Sequence, residues 1–457
     1  MTMVTPSGEQ WSSRFAFILA AVGAAVGLGN VWKFPYTTGS SGGSAFVLVY
    51  LLAVMLVALP ILIVELTIGR KGRCSPPESV ALVAEQNGRS RRWGWIGWLG
   101  PLAAFLVLSF YSVIGGWVMA YVPKSMSGAF AAADADAVGA VFGSMLSQPL
   151  TMLLWHTVFM ALTVIIVSAG VRKGLERVVD MLMPALVLML FVLVGYALYA
   201  GDAASAFTFM FSADFSAITP EVVLAAIGQA LFSTAVGAGA MMAYGAYLPQ
   251  SVSIPRVSLI VVLADTFVAL MAGLIVFPLV FANGLDPAEG PGLVFVSLPL
   301  AFGHMPAGSF FASFFFVLLF FAAITSSISM LEPIVAWARE RFAMQRKMSA
   351  LIAGGLAWGI GLLTILSFNV WSDVHPLDRF ATFSGKTIFD LLDYFVSNML
   401  LPLSAMLLAL FAGWMMSGAS VREELGLRDG PVFRLWQWSA RVVAPLAVAL
   451  VFVTNLA

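Results

Sequence analysis

AVGAAVGLGNVWKFPY, residues Ala21 to Tyr36, sets Gly23, Gly27 and Gly29 inside an otherwise apolar run. A second run, GQALFSTAVGAGAMMAY from Gly228 to Tyr244, repeats the device with Gly237 and Gly239. Each glycine costs a helix about 1 kcal/mol relative to alanine, and both clusters fall in the middle of stretches long enough to cross a bilayer. Close packing of helices through small residues would account for one cluster. Two clusters, five spans apart, point instead to two discontinuous helices in corresponding positions of an inverted repeat, with a binding site at the midplane. Breaking a helix there frees carbonyls for a cation and N–H groups for an anion.

The rest of the chain agrees with a membrane setting. Of 457 residues 61% are hydrophobic and 10% charged, with a mean hydropathy of +0.97; a soluble chain carries about a quarter charged residues. Soluble enzymes, nucleic-acid binders and disordered scaffolds are excluded on that ground. Lys+Arg and Asp+Glu are both 23, so no polyanionic partner is implied. One cysteine, Cys74, and three histidines, His156, His304 and His375, leave no disulfide framework and little for metal or haem ligation.

A span needs roughly 20 apolar residues. Eleven stretches qualify, near 14–38, 44–68, 95–122, 151–170, 175–200, 221–246, 256–283, 308–338, 349–369, 387–416 and 436–456. The expected fold is an all-α integral membrane protein of about eleven transmembrane helices, an inverted 5+5 repeat with helices 1 and 6 discontinuous. One transmembrane domain covers 1–457, with repeats at about 14–200 and 221–416 and an extra helix at about 436–456. The first stretch is too long and glycine-rich for a cleaved signal peptide.

Seventeen of the 23 basic residues lie in the loops after spans 2, 4, 6, 8 and 10, against three (Lys124, Arg379 and Lys386) on the other side. The positive-inside rule then puts the N-terminus in the cytoplasm and, with an odd span count, the C-terminus outside. The expected location is a bacterial inner membrane.

Ionisable groups inside the apolar stretches are costly and read as functional or paired. They are Lys33, Glu65, Asp265 and Glu332, with Asp390 and Asp393 at the outer end of span 10. Glu65 is expected to accept hydrogen bonds from unwound backbone nearby. Span 8 adds Thr325, Ser326 and Ser327 within FFAAITSSISMLEP, Phe320 to Pro333. Such hydroxyls usually bond back to their own helix, but hydroxyls, free carbonyls and a carboxylate are also the hard oxygen donors a dry sodium site needs.

GLGNVWKFPY (Gly27–Tyr36), GQALFSTAVGAGAMMAY (Gly228–Tyr244) and AAITSSISMLEP (Ala322–Pro333) resemble the signatures of the neurotransmitter:sodium symporters, and the chain is similar to their bacterial eleven-span amino-acid transporters. Inverted repeats with broken helices are a known property of this family. The resemblance implies two sodium ions. One would be held by the Ala25 carbonyl, Asn30, Ser233, Asp265 and the substrate carboxylate. The other would use carbonyls of Gly23, Val26 and Ala322 and the hydroxyls of Thr325 and Ser326. It implies a substrate carboxylate met by Leu28, Gly29 and Tyr111, and an ammonium met by carbonyls near Ala25 and Phe232 and by Ser326. The side chain would lie among Ala24, Val107, Phe232, Ala235, Ala238 and Met330. Ala235 and Ala238 stand where relatives preferring small aliphatic substrates carry bulkier groups, so a large apolar or aromatic side chain is expected. The carboxylate of Asp265, where chloride-dependent relatives have an amide, implies chloride independence. Lys33 and Asp393 would form the outer gate with Phe232 as lid. On the inner side Glu340 has the acidic gate position, Gly8 replaces the expected arginine, and Trp11 or Arg14 would plug the path. In span 5, Gly174 and Pro184 imply a helix that unwinds at its cytoplasmic end, or an ordinary proline kink.

The function so read is sodium-coupled symport of neutral L-amino acids by alternating access, with the bilayer and the amino acid as partners, no nucleic acid and no enzymatic activity. A monomer would suffice, and the oligomeric state stays open. A proton-coupled carrier of the same fold and a non-transporting amino-acid sensor are the alternatives.

Overall fold

The computed structural model describes residues 10–212, 214–288 and 292–456. Among them, nine helices are long and apolar enough to cross a membrane: Ser44–Gly72, Arg91–Met126, Pro149–Ser168, Val171–Ala200, Ile254–Ala282, Gly308–Phe342, Arg346–Ser367, Ile388–Met415 and Pro431–Thr454. They are spans 2 to 5 and 7 to 11. Span 1 is a pair, Arg14–Ala25 and Gly29–Ser40, bent by 49°. Span 6 is two pieces, Pro220–Ser233 and Ala240–Ala246, joined by six non-helical residues. Each piece alone is too short to cross, so span 6 counts as a crossing only when the two are joined. The eleven segments agree with the sequence boundaries to within a few residues.

The breaks have local causes. In span 1 the helix stops at Ala25 because Val26 turns extended, at φ −68 and ψ 110. In span 6 three residues take left-handed backbone: Ala235 (φ 52), Gly237 (φ 84) and Gly239 (φ 72). Gly237 and Gly239 adopt it without penalty, whereas for Ala235 it costs about 1–2 kcal/mol.

Contacts follow the pairing an inverted repeat produces. Span 2 packs on both pieces of span 6, and span 7 on both pieces of span 1. Spans 3, 4, 8 and 9 pack on one another, with span 3 lying longest against span 8. The four broken pieces are therefore held against a scaffold of continuous helices.

The chain contains several wide π-type turns, and five of them precede a proline: Gly29–Lys33 before Pro35, Val54–Ala58 before Pro60, Phe395–Leu400 before Pro402 and Ser439–Val443 before Pro445 within spans, and Leu293–Ser297 before Pro299 in the connection between spans 7 and 8. Proline lacks an N–H and collides with the carbonyl four residues back. Widening the preceding turn relieves the collision without breaking the helix.

Two buried connections tie the basic side together. Arg346, at the start of span 9, grips both carboxylate oxygens of Glu332 on span 8 and donates to the Val167 carbonyl at 2.7 Å. Tyr247 also donates to Glu332, at 2.9 Å. Arg70, at the end of span 2, meets Glu424 at 2.5 Å and the Val252 carbonyl at 2.5 Å.

Glycine sets how closely span 2 approaches the second piece of span 6. A Cβ on Gly69 would overlap the Met242 carbonyl, and one on Gly245 would lie 2.9 Å from the Leu66 carbonyl. Gly355, by contrast, would meet nothing within 4 Å. Gly69→Ala is expected to lower the thermal unfolding midpoint of the purified protein by several degrees. Gly355→Ala should leave it unchanged or raise it, since helix propensity alone favours alanine by about 1 kcal/mol. Melting curves in one detergent check both; an unaffected Gly69→Ala would contradict the packing.

Candidate functional site

The two breaks face each other across a cavity of about 50 Å³. Its walls include Ala24, Ala25, Leu28 and Gly29 from span 1, Val107 and Tyr111 from span 3, Phe232, Ala235 and Ala238 from span 6, and Ser326 and Met330 from span 8. All eleven residues anticipated for the substrate thus line one cavity. The structure adds Ala104, Ser329 and Leu401, which sequence reasoning missed.

One end of this cavity is polar. The Leu28 N–H donates to the Tyr111 hydroxyl at 3.3 Å, and the Ser326 hydroxyl donates to the Val26 carbonyl at 3.1 Å. Gly27 permits this meeting, because a Cβ there would lie 3.1 Å from the Tyr111 oxygen and overlap the Ser326 hydroxyl. The other end is formed by the alanines, Val107 and Met330 and is apolar.

Beside the polar end lies a buried oxygen cluster. The Asn30 amide donates to an Asp265 carboxylate oxygen at 2.7 Å, to the Asp265 carbonyl at 3.1 Å and to the Ser233 hydroxyl at 3.1 Å. Ser233 also donates to the second Asp265 oxygen, and the Tyr50 hydroxyl stands 3.3 Å from Ser233. Asn30, Ser233, Tyr50 and Asp265 come from spans 1, 6, 2 and 7, so the cluster joins four helices. The Asn30 carbonyl oxygen itself accepts from the Gly27 N–H at 3.0 Å. It would have to turn away from that N–H to ligate an ion. Tyr50 was missed by sequence, being one of two aromatics a turn apart in an apolar helix, with nothing to mark it from Phe46.

The second anticipated group also converges. Gly23 approaches Thr325 so closely that a Cβ on the glycine would lie 3.3 Å from the Thr325 Cβ, and Ser326 reaches Val26. Thr325 donates to the carbonyls of Phe321 and Ala322 at 3.0 and 3.1 Å, the back-bonding habit of helical hydroxyls.

The unwound backbone finds side-chain partners. Glu65 on span 2 accepts from the Gly237 N–H at 2.5 Å, as its sequence position suggested. Gln229 donates to the Gly29 carbonyl at 2.9 Å and was not anticipated, although a lone amide in an apolar run is a recognisable signal.

On the less basic side a larger cavity of about 440 Å³ opens above Phe232, which walls both. The Lys33 ammonium sits 3.9 Å over the Phe232 ring. The anticipated Lys33–Asp393 pair is not closed: no ion pair joins them within the described residues, and Asp393 accepts from Ser397 at 2.9 Å. The lysine rests on the aromatic face because a flexible point charge gains there without the fixed fork that holds an arginine to a carboxylate.

On the basic side Trp11, and not Arg14, is the one packed inward. It is buried, donates to the Tyr244 carbonyl at 3.2 Å and packs edge-on against the Tyr244 ring, whereas Arg14 is exposed. Ser12 bonds to Glu176 through both its N–H (3.1 Å) and its hydroxyl, which fastens the N-terminal segment to the wide turn opening span 5. Glu340 accepts from the Ser75 N–H at 2.7 Å, and Gly8 lies outside the described residues. Span 5 runs as helix through Pro184, and Gly174 is needed because a Cβ there would overlap the Ile166 carbonyl.

The family described as "Sodium:neurotransmitter symporter family" matches residues 8–138 and 144–457. The chain is 40% identical over 446 residues to YhdH of Bacillus subtilis, an uncharacterized sodium-dependent transporter, covering 97% of this chain and 96% of that one. It is 32% identical over 463 residues to an uncharacterized sodium-dependent transporter of Haemophilus influenzae, covering 100% of both. Among solved structures, MhsT in complex with L-phenylalanine is 40% identical, covers 98% of this chain and all of its own, and superposes with a TM-score of 0.89.

Cys74, in the loop after span 2, reports on the basic side. Burial, with Glu340 and Glu78 adding to it, pushes its thiol up to about 12. Maleimide labelling at pH 8 should therefore run about 100-fold or more slower than for a free thiol, and rise about tenfold per pH unit toward pH 10. Labelling at the rate of a free thiol would place Cys74 in an open, solvated loop instead.

Proposed function

Since the chain belongs to the sodium:neurotransmitter symporter family, we propose that it couples sodium to the uptake of neutral L-amino acids with large apolar or aromatic side chains. It does so by alternating access, with two sodium ions and no need of chloride. The observation that carries this reading is the cavity between the two breaks, with its polar end beside Asp265 and its apolar end built of alanines.

A zwitterion fits the polar end. The N–H groups and hydroxyl near Leu28, Gly29 and Tyr111 suit a carboxylate, and carbonyls near Ala25 and Phe232 with Ser326 suit an ammonium. The substrate carboxylate would share the first ion with the Ala25 carbonyl, Asn30, Ser233 and Asp265. Each then raises the affinity for the other, and by linkage the effect is reciprocal. The second ion would lie between carbonyls of Gly23, Val26 and Ala322 and the hydroxyls of Thr325 and Ser326. The fixed carboxylate of Asp265 offsets cation charge, which makes a bound anion unnecessary.

Ala24, Ala104, Ala235 and Ala238 leave the apolar end without bulk of its own. A cavity of about 50 Å³ must widen to admit a large side chain, and Phe232 and Met330 are the walls with the freedom to move. The MhsT complex, whose ligand is L-phenylalanine, supports the same size class. Outside the cavity, Lys33 over Phe232 with Asp393 forms the outer gate, and Trp11 with Glu340 closes the inner one. The basic side is cytoplasmic, in a bacterial plasma membrane. The chain from 1 to 457 works as one transport domain.

Binding of a panel of neutral L-amino acids to the purified protein tests the reading. Tight binding of tryptophan, tyrosine, phenylalanine or leucine is expected equally in sodium chloride and sodium gluconate and should be lost in potassium chloride. Equal binding in potassium would overturn sodium coupling and favour a proton-driven carrier or a sensor. Ala238→Phe should weaken aromatic substrates by about tenfold or more while sparing alanine or valine, because it fills the apolar end. Asp265→Asn should raise the sodium concentration needed for half-maximal binding by about tenfold or more; an unchanged sodium response would remove Asp265 from the ion site.

A further inference from the structure

An eight-residue 3₁₀ helix, Arg91–Trp98, opens span 3 on the basic side. Runs of this length are uncommon, and in them side chains three apart eclipse one another. Here that geometry aligns Arg92, Trp95 and Trp98, all exposed, on one face. Gly94, Ile96 and Gly97 on the other faces are buried: Gly94 and Gly97 lie so near the Pro76–Gln86 helix that a Cβ would come within 2.9 Å of the Pro77 carbonyl and 2.6 Å of the Pro76 carbonyl. Trp93 packs on Phe411, and Trp98 meets Trp337 of span 8 at 4.4 Å between ring centres. The stripe is thus held rigidly outward.

Its charges are free. The nearby carboxylates Glu78 and Glu85 are both taken by Arg91. Arg92 and the neighbouring exposed Arg89 pair with no carboxylate among the described residues. Its depth is marked as well. Trp414 and Trp438, at the basic-side ends of spans 10 and 11, are 56% and 57% exposed, as Trp95 is 54% exposed. Exposed tryptophans at helix ends sit at headgroup level.

We propose that Arg89, Arg92, Trp95 and Trp98 form a docking site for the headgroup of an anionic phospholipid. The two guanidinium groups would take the phosphate oxygens, since arginine matches phosphate geometry. The indoles would lie at the boundary between headgroup and chain. A rigid, outward stripe whose cations have no carboxylate partner among the described residues loses little freedom on binding, and lipid supplies the negative charge. Docking would pin the loop between spans 2 and 3, which includes Ser75, the partner of Glu340, to the membrane plane.

The test uses the full-length protein in mild detergent, titrated with phosphatidylglycerol or phosphatidylcholine and read by native mass spectrometry. Phosphatidylglycerol should be retained preferentially, and Arg89→Gln/Arg92→Gln should weaken its tightest retained molecule by about tenfold. In vesicles, quenching of the unaltered protein by brominated lipid, with Trp95→Phe subtracted, should be stronger for phosphatidylglycerol than for phosphatidylcholine. Equal retention of both lipids, or undiminished retention by the double variant at an unchanged melting point, overturns the site. Displacement of the lipid by millimolar inorganic phosphate also overturns it, by assigning the arginines to a free anion.

Discussion

Inside hydrocarbon a backbone N–H or carbonyl without a partner costs several kcal/mol, and this chain leaves two helices broken there. The rest of the structure follows from meeting that cost. Glu65 accepts from Gly237, Gln229 donates to the Gly29 carbonyl, Asn30 accepts from Gly27, and the Tyr111 hydroxyl accepts from Leu28. Each partner comes from a different position in the fold, and together they fix spans 2, 3 and 6 around span 1. Two of these groups serve the site as well: Tyr111 lines the cavity and Asn30 belongs to the Asp265 cluster. Holding the chain open and presenting polar atoms to a ligand are therefore one arrangement.

The two sides of the cavity are closed by different physics. On the basic side the seal is dense: Trp11 buried against Tyr244, Ser12 bound to Glu176, and Glu332 gripped by Arg346. On the other side the inner cavity and the larger one share a wall of three side chains, Leu231, Phe232 and Leu401, and the lysine above Phe232 has no ion-pair partner among the described residues. In this structure the thin wall faces away from the basic loops.

Much of this was legible in the sequence because it rests on signals that hydrocarbon enforces. Apolar length and the placement of arginine and lysine gave the spans. Paired glycine clusters gave the breaks, and the family resemblance gave the placing of the span 8 hydroxyls beside span 1. Other features were not legible. The left-handed Ala235 carries no mark, since that backbone is ordinarily taken by glycine or asparagine. Tyr50 looks like one more apolar position. The wide turns did have a signal, the prolines two residues beyond them, which reads as a kink unless the sequence is asked where the displaced backbone bond goes. Lys33 was paired with Asp393 by the family resemblance, which does not reveal that in this structure the ammonium rests on the Phe232 ring.

Phe232 is a wall of both cavities and the resting place of the Lys33 ammonium. A side chain that fills the inner compartment sets the tilt of the ring, and the ring sets where the ammonium rests. Any anion or carboxylate that draws Lys33 off the ring alters the shape of the compartment below. The two chambers share the wall that Leu231, Phe232 and Leu401 make, so a ligand that moves the phenyl ring in one changes the shape of the other. Ionic conditions at the mouth are thereby felt at the floor without a rearrangement of the helices that carry either.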